Sequence, residues 1–402
     1  MIQALQGVKI VDFSWVAAGP LTTRVLADFG ATVIKIESSI RPDPLRFEYP
    51  FANNMPGINR SVCFAIYNAN KYSMALNMSI SKGRDIAKRL IKQADVVIDN
   101  FTPGTMERWG LGYNELIKIK SDIIMLNLTL QGQTGSYSKQ PGLGFMLQAL
   151  GGFTSLLGWP DRTFPGTQLP YTDYIGCYFA AVAIVEALEY RRRTGKGQYI
   201  DVSQLESGIS FLSSAILDYT VNGRVEKVKG NRCPYAAPHG AYRCRGEDRW
   251  CTIAVFTDHE WQALCQLIGS PALRGDKFAT LLGRKRNEDE LNHLIEEWTI
   301  NYSAEEVMER LQSSGIACGI VETGEDMHRD PQLKHRQYFW FLEHPEIGVT
   351  SCSAPPIQLS KTPPRGRMPA PCLGEHTEFV CTNFLGMSDE EFVELSNEGV
   401  FR

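Results

Sequence analysis

In the first 130 residues, short apolar runs alternate with longer segments of helical spacing. The β-branched runs at residues 8–13, 31–37, 94–99 and 123–130 predict strands. Between the first two runs, residues 21–29 place apolar side chains three or four positions apart, which predicts a helix. Strands that alternate with helices are typical of a parallel sheet covered on both faces, so we predict a doubly wound, Rossmann-like α/β layer.

The pattern changes after this layer. Residues 131–170 are rich in Gly, Pro, Ser and Thr, which indicates an ordered loop region beside a site. A long helix is predicted over residues 174–193. A charged, Gly- and Pro-bearing stretch at residues 222–246 marks a domain boundary, and a small α+β domain is predicted from there to about residue 330. The remainder is predicted as strand and loop, ending in an acidic helix at residues 388–397.

Composition and charge narrow the classes of protein. The 402 residues are 43% hydrophobic and 21% charged, as in ordinary globular proteins. The net charge of −4 gives no sign of a nucleic-acid or membrane partner. The first residues lack the pattern of a signal peptide, and the most apolar stretch, residues 178–188, is too short to span a bilayer. We therefore expect a cytoplasmic protein.

The inventory of reactive side chains excludes several common sites. The ten cysteines form no C-x-x-C pair, and all seven histidines lie at or after His239. The first half of the chain therefore cannot supply a histidine-based triad or a histidine-ligated metal by itself. No dinucleotide fingerprint follows the first strand, and there is no phosphate-binding P-loop motif. We expect no metal site and no permanently bound cofactor.

Asp173 lies where a loop enters the long predicted helix, in the sequence Leu-Pro-Tyr-Thr-Asp-Tyr. One interpretation is a helix N-cap, in which the carboxylate accepts hydrogen bonds from backbone N–H groups. The other is a nucleophile, because a carboxylate can attack an activated acyl group and form a mixed anhydride. Position alone favours the cap.

A series of motifs spans nearly the whole chain. They are LQGVKIVDF at residues 5–13 with AGP at 18–20, LADFGATVIKIE at 26–37, NKYS at 70–73, DNFTPG at 99–104, RTGKGQ at 193–198 and LGEHT at 373–377. In this order they resemble the motifs of class III CoA-transferases, the formyl-CoA transferase and carnitine CoA-transferase type.

The resemblance implies an architecture and partners. A large Rossmann-like, CoA-binding and catalytic domain would comprise residues 1–220 and 331–402, with the small α+β domain at 221–330. Two chains would thread through each other as an interlocked dimer, either a homodimer or a heterodimer with a related subunit. The substrates would be an acyl-CoA and a carboxylic acid, with coenzyme A entering as part of the substrate.

The resemblance also implies site residues. Asp173 matches the catalytic aspartate, which passes through an acyl–aspartyl anhydride and an aspartyl–CoA thioester. At Ser38 and Ser79 relatives often carry basic residues, and we predict that Arg41, Arg46 or Lys71 replaces them. Arg108 suits a CoA phosphate because its guanidinium is a forked donor. The other implied CoA contacts are Val16, Ala17, Ala18, Leu76, Asn77, Asn100, Phe101 and Thr102.

Two other members of the same fold family are alternatives. An α-methylacyl-CoA racemase typically shows G-H-D before the catalytic helix, because proton exchange at carbon needs a second base. Here that stretch is Gly142-Leu143-Gly144, which favours transfer. A formyl-CoA:oxalate transferase would carry a polyglycine loop, which residues 230–246 lack. One subunit of a heteromeric CoA-transferase also remains open.

The substrate is suggested by three further segments, residues 13–20, 41–46 and 239–243. They are similar to the succinyl-CoA-dependent transferases that include benzylsuccinate CoA-transferase subunits. We therefore expect succinyl-CoA as donor and an aromatic or dicarboxylic acid as acceptor. Arg41 or Arg46 would bind a second carboxylate, and Trp15 would either face an aryl group or pack in the core.

Overall fold

The computed structural model describes residues 2–162 and 169–402. Within these residues, six parallel strands form one sheet in the order β3-β2-β1-β4-β5-β6. The chain builds one half of the sheet and then crosses to the other, so the switch point lies between β1 and β4. This sheet confirms the predicted α/β fold. Its strands are β1 (Lys9–Asp12), β2 (Thr32–Glu37), β3 (Lys71–Ala75), β4 (Val96–Asp99), β5 (Ile124–Thr129) and β6 (Tyr199–Ser203).

Helices accompany these strands along the first 224 residues. Part of the predicted loop region at 131–170 is helical, and its residues 163–168 lie outside the described residues. The helices are α1 (Ala18–Asp28), α2 (Val62–Asn68), α3 (Ser81–Gln93), α4 (Thr105–Arg108), α5 (Tyr113–Ile119), α6 (Gly144–Leu150), α7 (Phe153–Leu156), α8 (Tyr171–Thr194), α9 (Gln204–Ile209) and α10 (Ser213–Asn222).

In β1, β2, β4 and β5, neighbouring residues contribute to cores on opposite faces of the sheet. Ile10 packs in a cluster with Leu26 of α1 and Ile184 of α8, whereas Val11 packs in another cluster with Leu90 of α3. This alternation follows from the pleat of a strand. Each fully buried Leu or Ile stabilises the fold by about 1.5–3 kcal/mol.

Contacts divide the described chain into two compact units. The first contains residues 2–153, 169–224 and 331–402, and the second contains residues 154–162 and 225–330. In the second unit, a three-stranded antiparallel sheet packs against helices through a separate core that includes Trp261, Leu291 and Leu311. Its elements are β7 (His239–Arg243), β8 (Trp250–Ala254), α11 (Asp258–Ile268), α12 (Leu281–Arg286), α13 (Glu288–Thr299), α14 (Ala304–Ser313), β9 (Ala317–Ile320) and α15 (Gly324–Arg329).

The last 72 residues return to the first unit. The backbone N–H of Asn77 donates to the carbonyl of Val400 at 2.8 Å, and that of His376 donates to the carbonyl of Ser73 at 2.9 Å. The C-terminal segment therefore fastens the β3 edge of the sheet. Its elements are α16 (Pro331–His335), the hairpin β10 (Phe339–His344) and β11 (Gly348–Ser353), α17 (Thr377–Phe379) and α18 (Asp389–Asn397).

Helix α8 is longer than the apolar stretch in the sequence suggested. In the described chain it is the one helix that is long and apolar enough to cross a membrane by length and composition alone. One of its faces is buried in the sheet core through small residues such as Ala180 and Ala187. That packing is typical of a core helix.

Candidate active site

A cavity of about 600 Å³ opens at the switch point of the sheet, a size typical of small-molecule sites. Its walls include residues 15–18, which follow β1, and residues 100–102, which follow β4. The Asn100 side chain joins these loops, because its Oδ1 accepts from the Trp15 N–H at 2.8 Å and its Nδ2 donates to the Trp15 carbonyl at 2.8 Å. The fold thus places the cavity where open α/β sheets bind ligands.

A second cavity of about 310 Å³ lies at the carboxyl ends of β2 and β3. Three aromatic side chains, Trp15, Phe101 and Trp109, line both cavities, as does Arg41. The Phe101 ring contacts the other two rings edge-to-face, at centroid distances of 5.2 and 5.5 Å. The two cavities therefore share one aromatic wall.

Most of the residues predicted from the sequence line these cavities. In the larger one are Val16, Ala17, Ala18, Arg41, Asn100, Phe101, Thr102, Arg108 and Asp173, and in the smaller one are Arg41, Leu76, Asn77 and Phe101.

Lys71 and Arg46 line neither cavity, and the prediction that they bind CoA or a substrate carboxylate is wrong. Both side chains are fully buried. The Lys71 ammonium donates to Asp12 Oδ2 at 3.2 Å, to the Pro20 carbonyl at 2.8 Å and to Asn68 Oδ1 at 2.9 Å. An ammonium has three donors, so none remains for a ligand.

Arg46 is occupied in the same way. Its guanidinium forms a bidentate pair with Glu37, at 2.8 and 2.7 Å, and lies 3.6 Å from the centroid of the Phe64 ring. The Arg46 guanidinium is therefore already bound within the protein. Of the two arginines in residues 41–46, Arg41 is the one that lines the cavities.

Asp43, which the sequence analysis did not single out, positions the loop after β1. Its Oδ1 accepts from the Val16 N–H at 2.9 Å, and its Oδ2 accepts from the buried Lys35 ammonium at 3.0 Å. Val16 has a φ of +63°, a conformation that costs a β-branched residue on the order of 1–3 kcal/mol. The buried ion pair holds this strained residue in the cavity wall. The Asp43-Pro44 pair was the available signal, since it is typical of a turn.

Asp173 is the third residue of α8, and Pro170 is the N-cap. Its carboxylate has no hydrogen bond to any described residue, so it does not cap the helix. Burial raises the pKa of Asp173 to about 7. A Cβ atom placed on Gly144 would lie 2.5 Å from Oδ2 of Asp173, so only glycine lets the start of α6 come this close to the carboxylate.

Asp99 is a second carboxyl whose pKa is raised by burial, to about 8. It does not line the cavity. Its Oδ1 accepts from the Phe101 N–H at 3.1 Å, and its Oδ2 accepts from the Asn127 side chain. Asp99 therefore supports the loop after β4, whereas Asp173 faces the cavity.

Few ionisable groups face the larger cavity. Its described lining contains Arg41, Arg108 and Asp173, with no histidine, no lysine and no second carboxylate. The Arg41 guanidinium lies 5.3 Å from the centroid of the Trp15 ring, and Arg108 donates to Thr105 Oγ1 at 2.8 Å. Neither arginine forms an ion pair with a described residue. The site thus combines one carboxylate with two cations open to anionic ligands.

Several known proteins are similar to this chain along nearly its whole length. Residues 5–377 match the model of "CoA-transferase family III". The chain is 32% identical over 397 residues to a succinyl-CoA–D-citramalate CoA-transferase of Chloroflexus aurantiacus, covering 98% of each chain. It is 30% identical to a human succinyl-CoA:glutarate CoA-transferase, covering 99% of this chain and 90% of that protein. A CaiB/BaiF family protein from Brucella suis aligns with a TM-score of 0.88 at 30% identity, covering 95% of this chain and 100% of that one.

Proposed function

The chain belongs to CoA-transferase family III and is a CoA-transferase, and on that premise we propose that it moves CoA from succinyl-CoA to a dicarboxylic acid with Asp173 as the nucleophile. One observation carries this proposal. The Asp173 carboxylate faces the switch-point cavity, is largely buried and accepts no hydrogen bond from any described residue. A carboxylate without donors keeps its electron pairs available for attack on an acyl carbon.

The reaction proceeds through covalent intermediates on Asp173. An oxygen of its carboxylate adds to the thioester carbon, the C–S bond breaks, and an acyl–aspartyl anhydride and CoA thiolate result. The thiolate adds to the aspartyl carbonyl and the donor acid leaves as its carboxylate, which gives an aspartyl–CoA thioester. The acceptor carboxylate then adds to the aspartyl thioester carbon and displaces CoA thiolate, which gives an acceptor–aspartyl anhydride. The thiolate attacks the acceptor acyl carbon of this anhydride and releases the Asp173 carboxylate. The products are acceptor-CoA and free Asp173.

No net proton transfer occurs in this sequence of steps, which agrees with a cavity whose described lining residues include no histidine, no lysine and no second carboxylate. A racemase would need a base on each face of the substrate carbon. Residues 142–144, which border Asp173, are Gly-Leu-Gly and supply no such group. The lining therefore favours transfer over racemisation.

We place the nucleotide part of CoA in the smaller cavity, beside Leu76 and Asn77. Arg108 would bind a CoA phosphate, because its guanidinium is exposed and has no carboxylate partner among described residues. Arg41 lines both cavities and would bind an anion there, either a CoA phosphate or the second carboxylate of the acceptor.

The proposed substrates are supported by those for which similar proteins are named. Two of them are named for succinyl-CoA, with D-citramalate or glutarate as the other acid. A dicarboxylic acceptor is therefore the first expectation for this chain. Benzylsuccinate is a narrower candidate, because Trp15 lines the cavity and could contact an aryl group.

We also propose that the chain works as a dimer of interlocked copies, or with a related subunit. The outer face of α8 exposes the adjacent residues Tyr178 and Phe179 and, at intervals of three positions after Phe179, Val182 and Val185. Such a stripe is typical of a helix face that a second chain covers. Relatives named as single proteins and as α and β subunits are both known.

The mechanism is tested by trapping the intermediate. The protein is incubated with succinyl-CoA, digested, and the peptide containing Asp173 is examined for a CoA adduct by mass spectrometry. We expect the adduct in the wild type and in Asp85→Asn, a variant of an exposed α3 carboxylate that lines neither cavity. Asp173→Asn should give neither adduct nor transfer. Wild-type turnover by folded Asp173→Asn would exclude the mechanism.

A further inference from the structure

Two buried polar side chains of the larger cavity each carry an oxygen atom that has no hydrogen-bond partner among the described residues. Thr129 is 4% exposed and Gln204 is 3% exposed. Neither the Thr129 hydroxyl oxygen nor the Gln204 carbonyl oxygen Oε1 bonds to any described residue, and they are the two such side-chain atoms found in the described chain. About nine in ten buried polar groups are hydrogen-bonded. Because both exceptions lie in one cavity, they indicate a ligand that supplies the missing hydrogen bonds.

The fold places these two residues at the same ends of two neighbouring strands. Thr129 ends β5 and pairs in register with Ser203, the last residue of β6, and Gln204 follows directly as the first residue of α9. A Cβ atom placed on Gly176 would lie 3.1 Å from Cγ of Gln204. The Gln204 side chain thus runs along the turn of α8 that follows Asp173, and its amide borders the same cavity as the nucleophile.

Their position in the sheet assigns them to the acyl group. The smaller cavity lies beyond β2 and β3, Asp173 borders the cavity at the switch point, and Thr129 and Gln204 lie at β5 and β6, on the opposite side of β1 and β4. If CoA occupies the β2–β3 side, as in the proposed function on which this inference rests, then the acid extends toward Thr129 and Gln204.

We propose that Thr129 and Gln204 bind the hydroxyl group of a hydroxy-substituted dicarboxylic acceptor. The Gln204 carbonyl oxygen needs a donor, and the Thr129 hydroxyl can donate. An alcohol satisfies both, since it donates to Gln204 and accepts from Thr129. A second carboxylate cannot donate to Gln204, and a methylene group would leave both atoms unpaired, which is costly in a buried site.

The test compares matched acceptors with succinyl-CoA as donor. In the wild type, kcat/KM should be at least about tenfold higher for one enantiomer of malate or 2-hydroxyglutarate than for glutarate, which corresponds to one or two hydrogen bonds. In Thr129→Val and Gln204→Leu, which keep the side-chain volume, this preference should fall about tenfold while kcat/KM for glutarate changes little. Thr252→Val, an exposed threonine of β8 in the second unit, should behave as the wild type.

A second measurement does not depend on turnover. The hydroxy acid should raise the thermal midpoint of the wild type and of Asp173→Asn, but not that of Thr129→Val. The variants should unfold at or above the wild-type temperature without ligand, because they remove polar atoms that have no partner. A wild type that prefers glutarate, or variants that lower both activities equally, would overturn the inference while leaving the transfer mechanism intact. Absence of transfer to every acid would instead count against the proposed function.

Discussion

At the scale of single residues, Asp173 as the proposed nucleophile predicts a pH dependence of the reaction. Only the carboxylate can attack, whereas burial raises its pKa to about 7. We expect kcat/KM for succinyl-CoA to rise about tenfold per pH unit below pH 7 and to level off above it. Initial rates across this range check the prediction, with Asp85→Asn as the control that should show the same profile. A profile that is flat from pH 5 to 7 would contradict it.

The same burial predicts that the stability of the fold falls as pH rises, whereas the reaction rate increases. The unfolded carboxyl ionises near its ordinary value of about 3.9, so between that pH and about 7 protons leave the unfolded chain first and stability falls as pH rises. Because asparagine does not ionise, the Asp173→Asn variant should not show this decrease in stability. We expect Asp173→Asn to unfold at a higher temperature than the wild type at pH 8 and at about the same temperature at pH 4. Thermal unfolding followed by circular dichroism gives the comparison, and a variant that is less stable at pH 8 would be inconsistent with a desolvated carboxylate.

Replacing Arg108 should distinguish an effect on the binding of succinyl-CoA from an effect on the chemical step. If it binds a CoA phosphate, Arg108→Ala removes a charge-assisted hydrogen bond worth about 1.5–3 kcal/mol, or roughly ten- to hundredfold in affinity. KM for succinyl-CoA should rise by that factor while kcat stays nearly constant, since the contact is equal in ground and transition states. Lys118→Ala, an exposed cation of α5 outside both cavities, should leave both constants unchanged. A loss confined to kcat would remove Arg108 from the CoA site.

At the scale of elements, the close contact between α6 and α8 positions Asp173, the proposed nucleophile. A Cβ atom on Gly144 would lie 2.5 Å from Oδ2 of Asp173 and 2.6 Å from Cβ of Pro170, so the two helix starts would have to separate. We expect Gly144→Ala to lower kcat at least about tenfold, because misplacement of a reacting group by an ångström can cost a hundredfold. Gly324→Ala, at the open start of α15, is the matched control. Wild-type kcat in Gly144→Ala would show that this contact does not position Asp173.

The elements that the sequence predicts best are those with a strong local pattern. The strands β1, β2, β4 and β5 are evident from their apolar runs, and α8 ends at Thr194, followed by the C-cap Gly195. Strand β3 has the sequence Lys-Tyr-Ser-Met-Ala, which shows no apolar run, and it was not predicted. Its place is set by pairing with β2, which sequence spacing alone does not reveal.

The roles of charged residues depend on partners that are distant in sequence. Lys71 is predicted from the sequence to bind CoA because it is a basic residue that could replace those that relatives often carry at Ser38 and Ser79. Its carboxylate partner Asp12 is 59 positions away, and Lys71 is fully buried. For the same reason the sequence did not reveal Thr129 and Gln204, because lack of a partner is a property of the folded chain.

At the scale of the whole molecule, the cavity is assembled from distant parts of the first unit. The ends of β1 and β4, the start of α6 and the start of α8 all contribute, and the C-terminal residues secure the β3 edge beside the smaller cavity. The position of Asp173 in the cavity therefore depends on the packing of the entire parallel sheet. This explains why motifs that span residues 5–377 were needed to recognise the site, whereas no single short motif identified it.

The outer face of α8 predicts how copies of the chain assemble. Val182 is 57% exposed in the single chain, so Val182→Glu should not disturb the fold of that chain. In a dimer that buries this face, the same change places an unpaired charge in an apolar contact, which is strongly unfavourable. Light scattering should give twice the 45.0 kDa chain mass for the wild type and a single-chain mass for Val182→Glu. Val393→Glu, at a similarly exposed position of α18, should keep the wild-type mass. A monomeric wild type, or a Val182→Glu variant that assembles as the wild type does, would exclude α8 as the contact and leave its apolar stripe unexplained.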